Sequence, residues 1–269
     1  MTRAAAMVRA CHPEPTATVT AVATALAATT GRSMAGLVAV ASAVLAGQLS
    51  IGWSNDYIDR GRDATTARPD KPVARGDLPV RAVGRAALVA AAVCVPLSFA
   101  SGLPAGAAHL VGVACGWAYN LGMKATALSV VPYTAAFGLL PVFVVAGLPG
   151  HPVPPVWLVA AGGMLGTGAH FANTLPDLDD DERTGVRGLP HRLGARASGL
   201  LAAGLLTAAS ALLTLGPWPP SRPALAGFAV CVGLAAAGVA PGGRRAFQVT
   251  MLLAALDAAL LIAAGTNLR

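Results

Sequence analysis

The chain has 269 residues, of which 55% are hydrophobic and 12% charged, with a formal net charge of +7. Its mean hydropathy is +0.63, and its charged fraction is about half that of an average soluble domain. This composition excludes an ordinary soluble domain and a disordered chain, and it points to an all-α, polytopic membrane protein.

The N-terminal stretch, with Arg3, Arg9 and His12-Pro13, runs straight into the first apolar segment and shows no cleavable signal peptide, so that segment is expected to be a retained helix. Nine spans are predicted, at roughly residues 15–31, 34–54, 82–101, 104–121, 126–147, 154–173, 195–215, 222–240 and 246–265. Residues 125–169 contain no Lys, Arg, Asp or Glu. That run is too long for one helix, and Leu148-Pro149-Gly150 with Pro152, Pro154 and Pro155 divides it. Pro104, Pro132 and Pro141 lie inside or beside spans, where membrane helices tolerate them if neighbours re-satisfy the backbone. The whole chain, 1–269, reads as a single transmembrane domain.

The charges set an expected topology. With the N-terminus inside, sixteen of the nineteen Lys and Arg residues fall on inside segments, and only Arg32, Arg222 and Arg269 fall outside. That asymmetry predicts N-in, C-out in the cytoplasmic membrane with an odd number of spans. The positive charge therefore reports orientation rather than nucleic-acid binding. The four cysteines, Cys11, Cys94, Cys115 and Cys231, are scattered without CxxC spacing and read as free thiols.

The acidic residues are more concentrated still. Ten of the twelve follow span 2 or span 6, and only Glu14 and Asp257 lie elsewhere. Asn55, Asp59 and Asp63 stand at i, i+4 and i+8, and so do Asn173, Asp177 and Asp181. On a helix this spacing places each triplet on one face as a ladder of oxygen ligands. Carboxylate and amide oxygens suit a hard divalent cation such as Mg²⁺, which is typically held by a few carboxylates plus substrate phosphates. Asp56 and Asp180 flank the ladders and point elsewhere. Each ladder follows an apolar helix and precedes a basic, proline-containing loop and another apolar helix. This is a weak internal repeat, one unit around spans 2–3 and the other around spans 6–7.

Other features have two readings. Acids in the 177–182 run also favour helix N-termini, which would explain one or two of them without a metal. Tyr119 and Lys124, in Tyr-Asn-Leu-Gly-Met-Lys, end span 4, either as a topology anchor or as phosphate contacts. Asp257 lies within span 9, where an acid marks function or is packed in protonated form. His109 and His170 read as core histidines, although His170 is one turn before Asn173.

The stretches Asn55-Asp-Tyr-Ile-Asp-Arg-Gly-Arg-Asp63, Arg68-Pro-Asp-Lys-Pro72, Tyr119 to Lys124 and Asn173-Thr-Leu-Pro-Asp-Leu-Asp-Asp-Asp181 resemble the UbiA superfamily of intramembrane prenyltransferases. His12-Pro-Glu-Pro-Thr16 is similar to that family too, and the resemblance covers nearly the whole chain. It implies nine transmembrane helices around a central cavity, with both Asp motifs at the cytoplasmic mouth. It also implies Mg²⁺-dependent transfer of an isoprenyl group from an allylic diphosphate to a small-molecule acceptor. By resemblance, Asn55, Asp59, Asp63, Asp177 and Asp181 hold metal. Arg68, Lys71, Tyr119, Lys124, Arg187, Asn55 and Asn173 meet the diphosphate, and Asp59, Asp177, Tyr119 and Lys124 carry the chemistry. Lys71 stands where the family usually has Arg, which removes bidentate phosphate contact there. Trp53, Tyr57, Trp117, Tyr119 and Phe171 are candidates for stabilising an allylic cation.

The implied acceptor is aromatic, a quinone or secondary-metabolite precursor. The alternatives within the family are cyclisation of the prenyl chain and transfer to a sugar or glycerol phosphate. A non-enzymatic carrier fits less well, because carriers usually place ion ligands near the bilayer midplane. No nucleic acid or protein partner is evident, and the lipid bilayer is the expected surroundings.

Overall fold

The computed structural model describes residues 2–65, 71–239 and 244–268. The elements, in chain order, are α1 (Arg3–Ala10), α2 (Pro13–Thr29), α3 (Met34–Thr65), α4 (Val80–Phe99), α5 (Leu103–Asn120) and α6 (Val130–Ala146). They continue with α7 (Val156–Thr174), α8 (Leu178–Arg183), α9 (Leu189–Leu215), α10 (Arg222–Val239) and α11 (Arg244–Ala264). There is no strand among the described residues.

Local chemistry explains the boundaries. The first apolar segment does not run unbroken from the N-terminus. His12 adopts a left-handed conformation, φ 56°, and Pro13 opens the next helix, so α1 is a separate short element. Proline at a first helical position costs no hydrogen bond and fixes φ for the turn. Gly31, at φ 81°, ends α2 in the left-handed turn that glycine makes without a Cβ penalty. Proline recurs at the start of α5 and α9. Gly194, at φ 81°, breaks α9 after its first turns.

Among the described residues, nine helices have 17 residues or more. Four segments, Met34–Thr65, Val80–Phe99, Leu189–Leu215 and Gln248–Leu268, are long and apolar enough to cross a bilayer. The long helices form a closed ring. Sequential neighbours pack together from α2 to α7, α7 packs on α9, and α11 returns to α2. A large cluster centred on Leu26, Val44, Phe143, Leu158, Leu206 and Leu253 fills one part of the bundle.

At the other end α3 extends to Thr65, past the apolar stretch that ends near Ser54. This charged extension is not left in solvent. Ala6 and Ala10 of α1 cluster with Val73, Leu78 and Val83, and Trp53 packs against them. The Trp53 indole Nε1 donates to the Met7 carbonyl at 2.9 Å. The turn between α1 and α2 lies directly on α3, because a Cβ built on Gly52 would sit 2.2 Å from the Cys11 carbonyl oxygen. Gly61, on the same helix, has nothing within 4 Å of its ideal Cβ.

Gly52→Ala is therefore expected to destabilise the protein by about 1–3 kcal/mol through overpacking. Gly61→Ala should be neutral or slightly stabilising. Thermal unfolding of the two variants in one detergent checks the contrast.

Candidate active site

The first motif lies on a continuous helical face, as its spacing predicts. Asp59 and Asp63 are buried at 6% and 4% exposure, one turn apart on the α3 extension. Asn55 donates from Nδ2 to Asp59 Oδ2 at 3.0 Å and to Asn120 Oδ1 at 3.2 Å. Asn120 is itself anchored, donating to the Ile51 carbonyl at 2.9 Å and Ser54 Oγ at 2.8 Å. Asn120 therefore sets which way the Asn55 amide faces.

Lys124 stands in a 3-10 turn, Met123–Ala125, and donates to both Asp59 oxygens at 2.5 Å. Burial lowers the Lys124 pKa from its ordinary value, and the Asp59 carboxylate opposes that shift. The turn is pressed against the next segment, since a Cβ on Gly188 would lie 2.6 Å from the Lys124 carbonyl oxygen.

The second triplet departs from the single-helix ladder expected of it. Asn173 is on α7, Asp177 ends a 3-10 turn, Leu175–Asp177, and Asp181 is on α8. Pro176 is the physical reason. It lacks an amide proton and forces a change of winding, and a 3-10 turn has three residues per turn rather than 3.6. Asp181 nevertheless returns to the first motif. Its carboxylate is 3.7 Å from Arg62 Nη1 and 3.5 Å from His191 Nε2. Burial raises the Asp181 pKa, with Arg62 the largest opposing charge.

Arg62 joins the two motifs. Its guanidinium is 3.0 Å from Asp59, 4.0 Å from Asp63 and 3.7 Å from Asp181. A cation thus occupies the space that both sets of carboxylates share, and their all-oxygen donor set is of the kind a hard divalent ion takes. No group of three acidic, His or Cys side chains forms a ready cage among the described residues.

Lys71 is placed differently from a free phosphate contact. It is 8% exposed and donates from Nζ to Asp56 Oδ1 at 2.7 Å, beside His12 Nε2 at 3.0 Å and Asn55 Oδ1 at 3.4 Å. His12 Nε2 is also 3.1 Å from Asp56. Asp56, 2% exposed, is therefore a tether for the α1–α2 turn rather than a solvated flank. Arg187 is an exposed residue paired with Glu182 at 3.3 Å. Arg68 lies outside the described residues.

Under this mouth is a cavity of about 340 Å³. It is lined from α2, α3, α5 and α6, with Asn55, Tyr119, Asn120 and Asn173 at its polar edge. Tyr119 meets the Tyr133 ring edge-on at 5.2 Å, and Tyr133 stacks on Phe137 at 6.2 Å. Tyr133 and Asn173 both line this cavity. His170 sits 4.9 Å from Tyr133 and is bonded to Ser129 at 3.0 Å. The Ser129 hydroxyl also takes the Leu189 amide at the start of α9.

Of the aromatic candidates, Tyr119 lines the cavity. Phe171 packs with Ala172 and Ala202, Trp117 donates to Ser50, and Tyr57 is partly exposed under Arg60. Tyr133 and Phe137 were the residues to find. Their signal is an i, i+4 aromatic pair on one face of an uncharged helix. Asp257 is far from this mouth in the packing, buried between α9, α10 and α11, where Ser210 donates to it and Cys231 is 4.0 Å away. All four cysteines are free.

An acidic mouth balanced by bases, set over an apolar cavity in a helical ring, suits a charged head on an apolar tail. A family model described as the UbiA prenyltransferase family matches residues 16–266. The chain belongs to the UbiA prenyltransferase family. The bacteriochlorophyll synthase 33 kDa chain of Cereibacter sphaeroides is 32% identical over 188 residues, which cover 63% of this chain and 59% of that relative. A UbiA homolog from Aeropyrum pernix K1 has a TM-score of 0.72 at 18% identity, over 93% of this chain and 98% of that one. A UbiA homolog from Archaeoglobus fulgidus bound to GPP and Mg²⁺ has a TM-score of 0.70 at 16% identity, over 96% of this chain and 99% of that one. At these identities the structural likeness shows a shared fold.

Lys71→Met leaves the buried Asp56 without its closest cation and is expected to destabilise the protein by about 3 kcal/mol. Asp56→Asn in the same chain should restore most of that loss. Denaturant unfolding in mixed micelles reads both values.

Proposed function

We propose that this protein transfers an isoprenyl group from an allylic isoprenyl diphosphate to a small-molecule acceptor, an aromatic ring, with release of diphosphate. The observation that carries this reading is Arg62 bridging Asp59, Asp63 and Asp181, with Asp59 hydrogen-bonded to Asn55 of the cavity wall. Membership of the prenyltransferase family and the GPP and Mg²⁺ of the Archaeoglobus homolog support it.

Asp59, Asp63 and Asp181, with Asp177 and the Asn55 oxygen, are the residues that would hold Mg²⁺. Held there, a divalent cation supplies Lewis-acid neutralisation of the leaving diphosphate. Lys124 and Arg62 add positive charge where negative charge develops on the leaving group, an arrangement worth most in a water-poor site. Arg68, Lys71 and Arg187 are the further bases proposed to meet phosphate oxygens. For Lys71 this requires release from Asp56, which diphosphate binding would have to offset. Tyr119 and Asn173 position the diphosphate end at the cavity edge. The Tyr119, Tyr133 and Phe137 rings offer π faces to an allylic cation. The mostly aliphatic wall excludes water that would otherwise capture it.

The nine long helices are proposed as nine spans of a single 1–269 domain in the cytoplasmic membrane, with the N-terminus and the acidic mouth on the cytoplasmic side. The distribution of basic residues supports that orientation. The pairs α3–α4 and α7–α9, each a motif-bearing helix packed on its successor, are proposed as the two units of the internal repeat.

Purified protein in detergent should consume geranyl diphosphate in a Mg²⁺-dependent way, stopped by EDTA and restored by Mg²⁺. Asp59→Ala and Asp177→Ala should each lower turnover by about 10²–10³-fold, the scale for loss of one electrostatic stabiliser, with folding retained by gel filtration. Undiminished turnover in both variants refutes the metal assignment. A separate panel of allylic diphosphates crossed with aromatic acceptors, read by mass spectrometry, identifies donor length and acceptor.

A further inference from the structure

The deep end of the cavity carries two polar groups that the diphosphate chemistry does not use. They are the Gln48 amide on α3 and the His109 imidazole on α5, and both line the cavity. Gln48 is seven residues before Asn55 on the unbroken α3, about 10 Å from the mouth at 1.5 Å per residue. A Cβ built on Gly47 would lie 3.4 Å from His109 Nε2, so that nitrogen stands at the same depth as Gln48.

The hydrogen-bond chain behind His109 fixes its tautomer. The Cys94 thiol donates to the Ala43 carbonyl at 3.6 Å. The Ser98 hydroxyl donates its one proton to the Cys94 carbonyl at 2.6 Å. Ser98 Oγ is also 2.7 Å from His109 Nδ1, and with its proton already committed it accepts there. Nδ1 therefore carries the imidazole proton, and Nε2 carries a lone pair. The ring is held flat against Phe143, centroids 4.5 Å apart, so it cannot turn Nε2 away cheaply. Among the described residues neither Nε2 nor the Gln48 amide has a protein partner.

A hydrocarbon tail over these groups would strip them of water and give nothing back. A carbonyl would not serve a lone pair. A hydroxyl serves both groups at once, as donor to His109 and acceptor from Gln48. We propose that this end of the cavity is a hydroxyl-binding subsite. It holds an acceptor ring by a hydroxyl far from the carbon that is prenylated, and His109 and Gln48 determine acceptor specificity. Naming the ligand as the acceptor rests on the prenyl-transfer reading above. The hydroxyl preference does not.

The test uses the purified full chain in detergent and titration calorimetry with two probes, 2-naphthol and 2-methoxynaphthalene, in the absence of diphosphate. Wild type is expected to bind 2-naphthol about 10-fold more tightly, the scale of one net hydrogen bond. His109→Phe, which keeps a ring against Phe143, should bring the two affinities together. Gln48→Met should reduce the ratio and serves if His109→Phe does not fold. Equal binding of the two probes by wild type overturns the subsite, as does a preference that survives in both variants. A protein that shows the preference but consumes no allylic diphosphate overturns the transfer reading alone.

Discussion

Three carboxylates of two motifs, Asp59, Asp63 and Asp181, meet at one end of a largely apolar helical bundle, and their mutual repulsion has to be balanced before the bundle can close. Arg62 and Lys124 provide that balance. Lys124 holds both oxygens of Asp59, and Arg62 reaches Asp59, Asp63 and Asp181. Charge pairs of this kind gain little net stability, because desolvation offsets most of the attraction. Their value here is positional. They bring α3, the α5–α6 turn and α8 to one point.

Around that point the structure separates rigid parts from an open one. The Asp56–Lys71–His12 cluster fastens the α1–α2 turn to α3, and Ser129 joins α7 to the first turn of α9 through His170 and Leu189. Both clusters are buried polar networks, which specify geometry when their groups are paired. The cavity between them is open, with an aromatic wall near the mouth and the His109–Gln48 pair at depth. A substrate lying along it would meet charge, then π faces, then aliphatic surface, then a hydrogen-bonding floor.

Much of the fold was legible because lipid imposes a simple rule: each span needs a long apolar run, and each break needs proline, glycine or charge. The predicted spans fall on the observed long helices, with ends shifted by about six residues or fewer except at the C-terminal end of α3. The α3 extension was harder to see, because its charged residues mark the end of an apolar run and not the end of a helix. The separate α1 was missed because, at eight residues with Arg3 and Arg9, it is too short and too charged to register as a span. In the site, the first motif kept its helical face. The second did not, because Pro176 changes the winding between Asn173 and Asp181. Arg62 was inside the quoted motif and was passed over, as its partner in α8 is over a hundred residues away in the chain.

The sequence alone determined the class of chain, the positions of its apolar helices, and the two clusters of acidic and amide side chains with their neighbouring bases. These are local properties, carried by composition and by spacing within a few turns. Only the tertiary structure decided that Arg62 faces both motifs, that Lys71 is bound to Asp56, and that Tyr133 joins Tyr119. It alone decided that His109 and Gln48 share one cavity wall. Each of those outcomes depends on which side chains from distant helices share a buried space, and on which hydrogen bonds are already taken there.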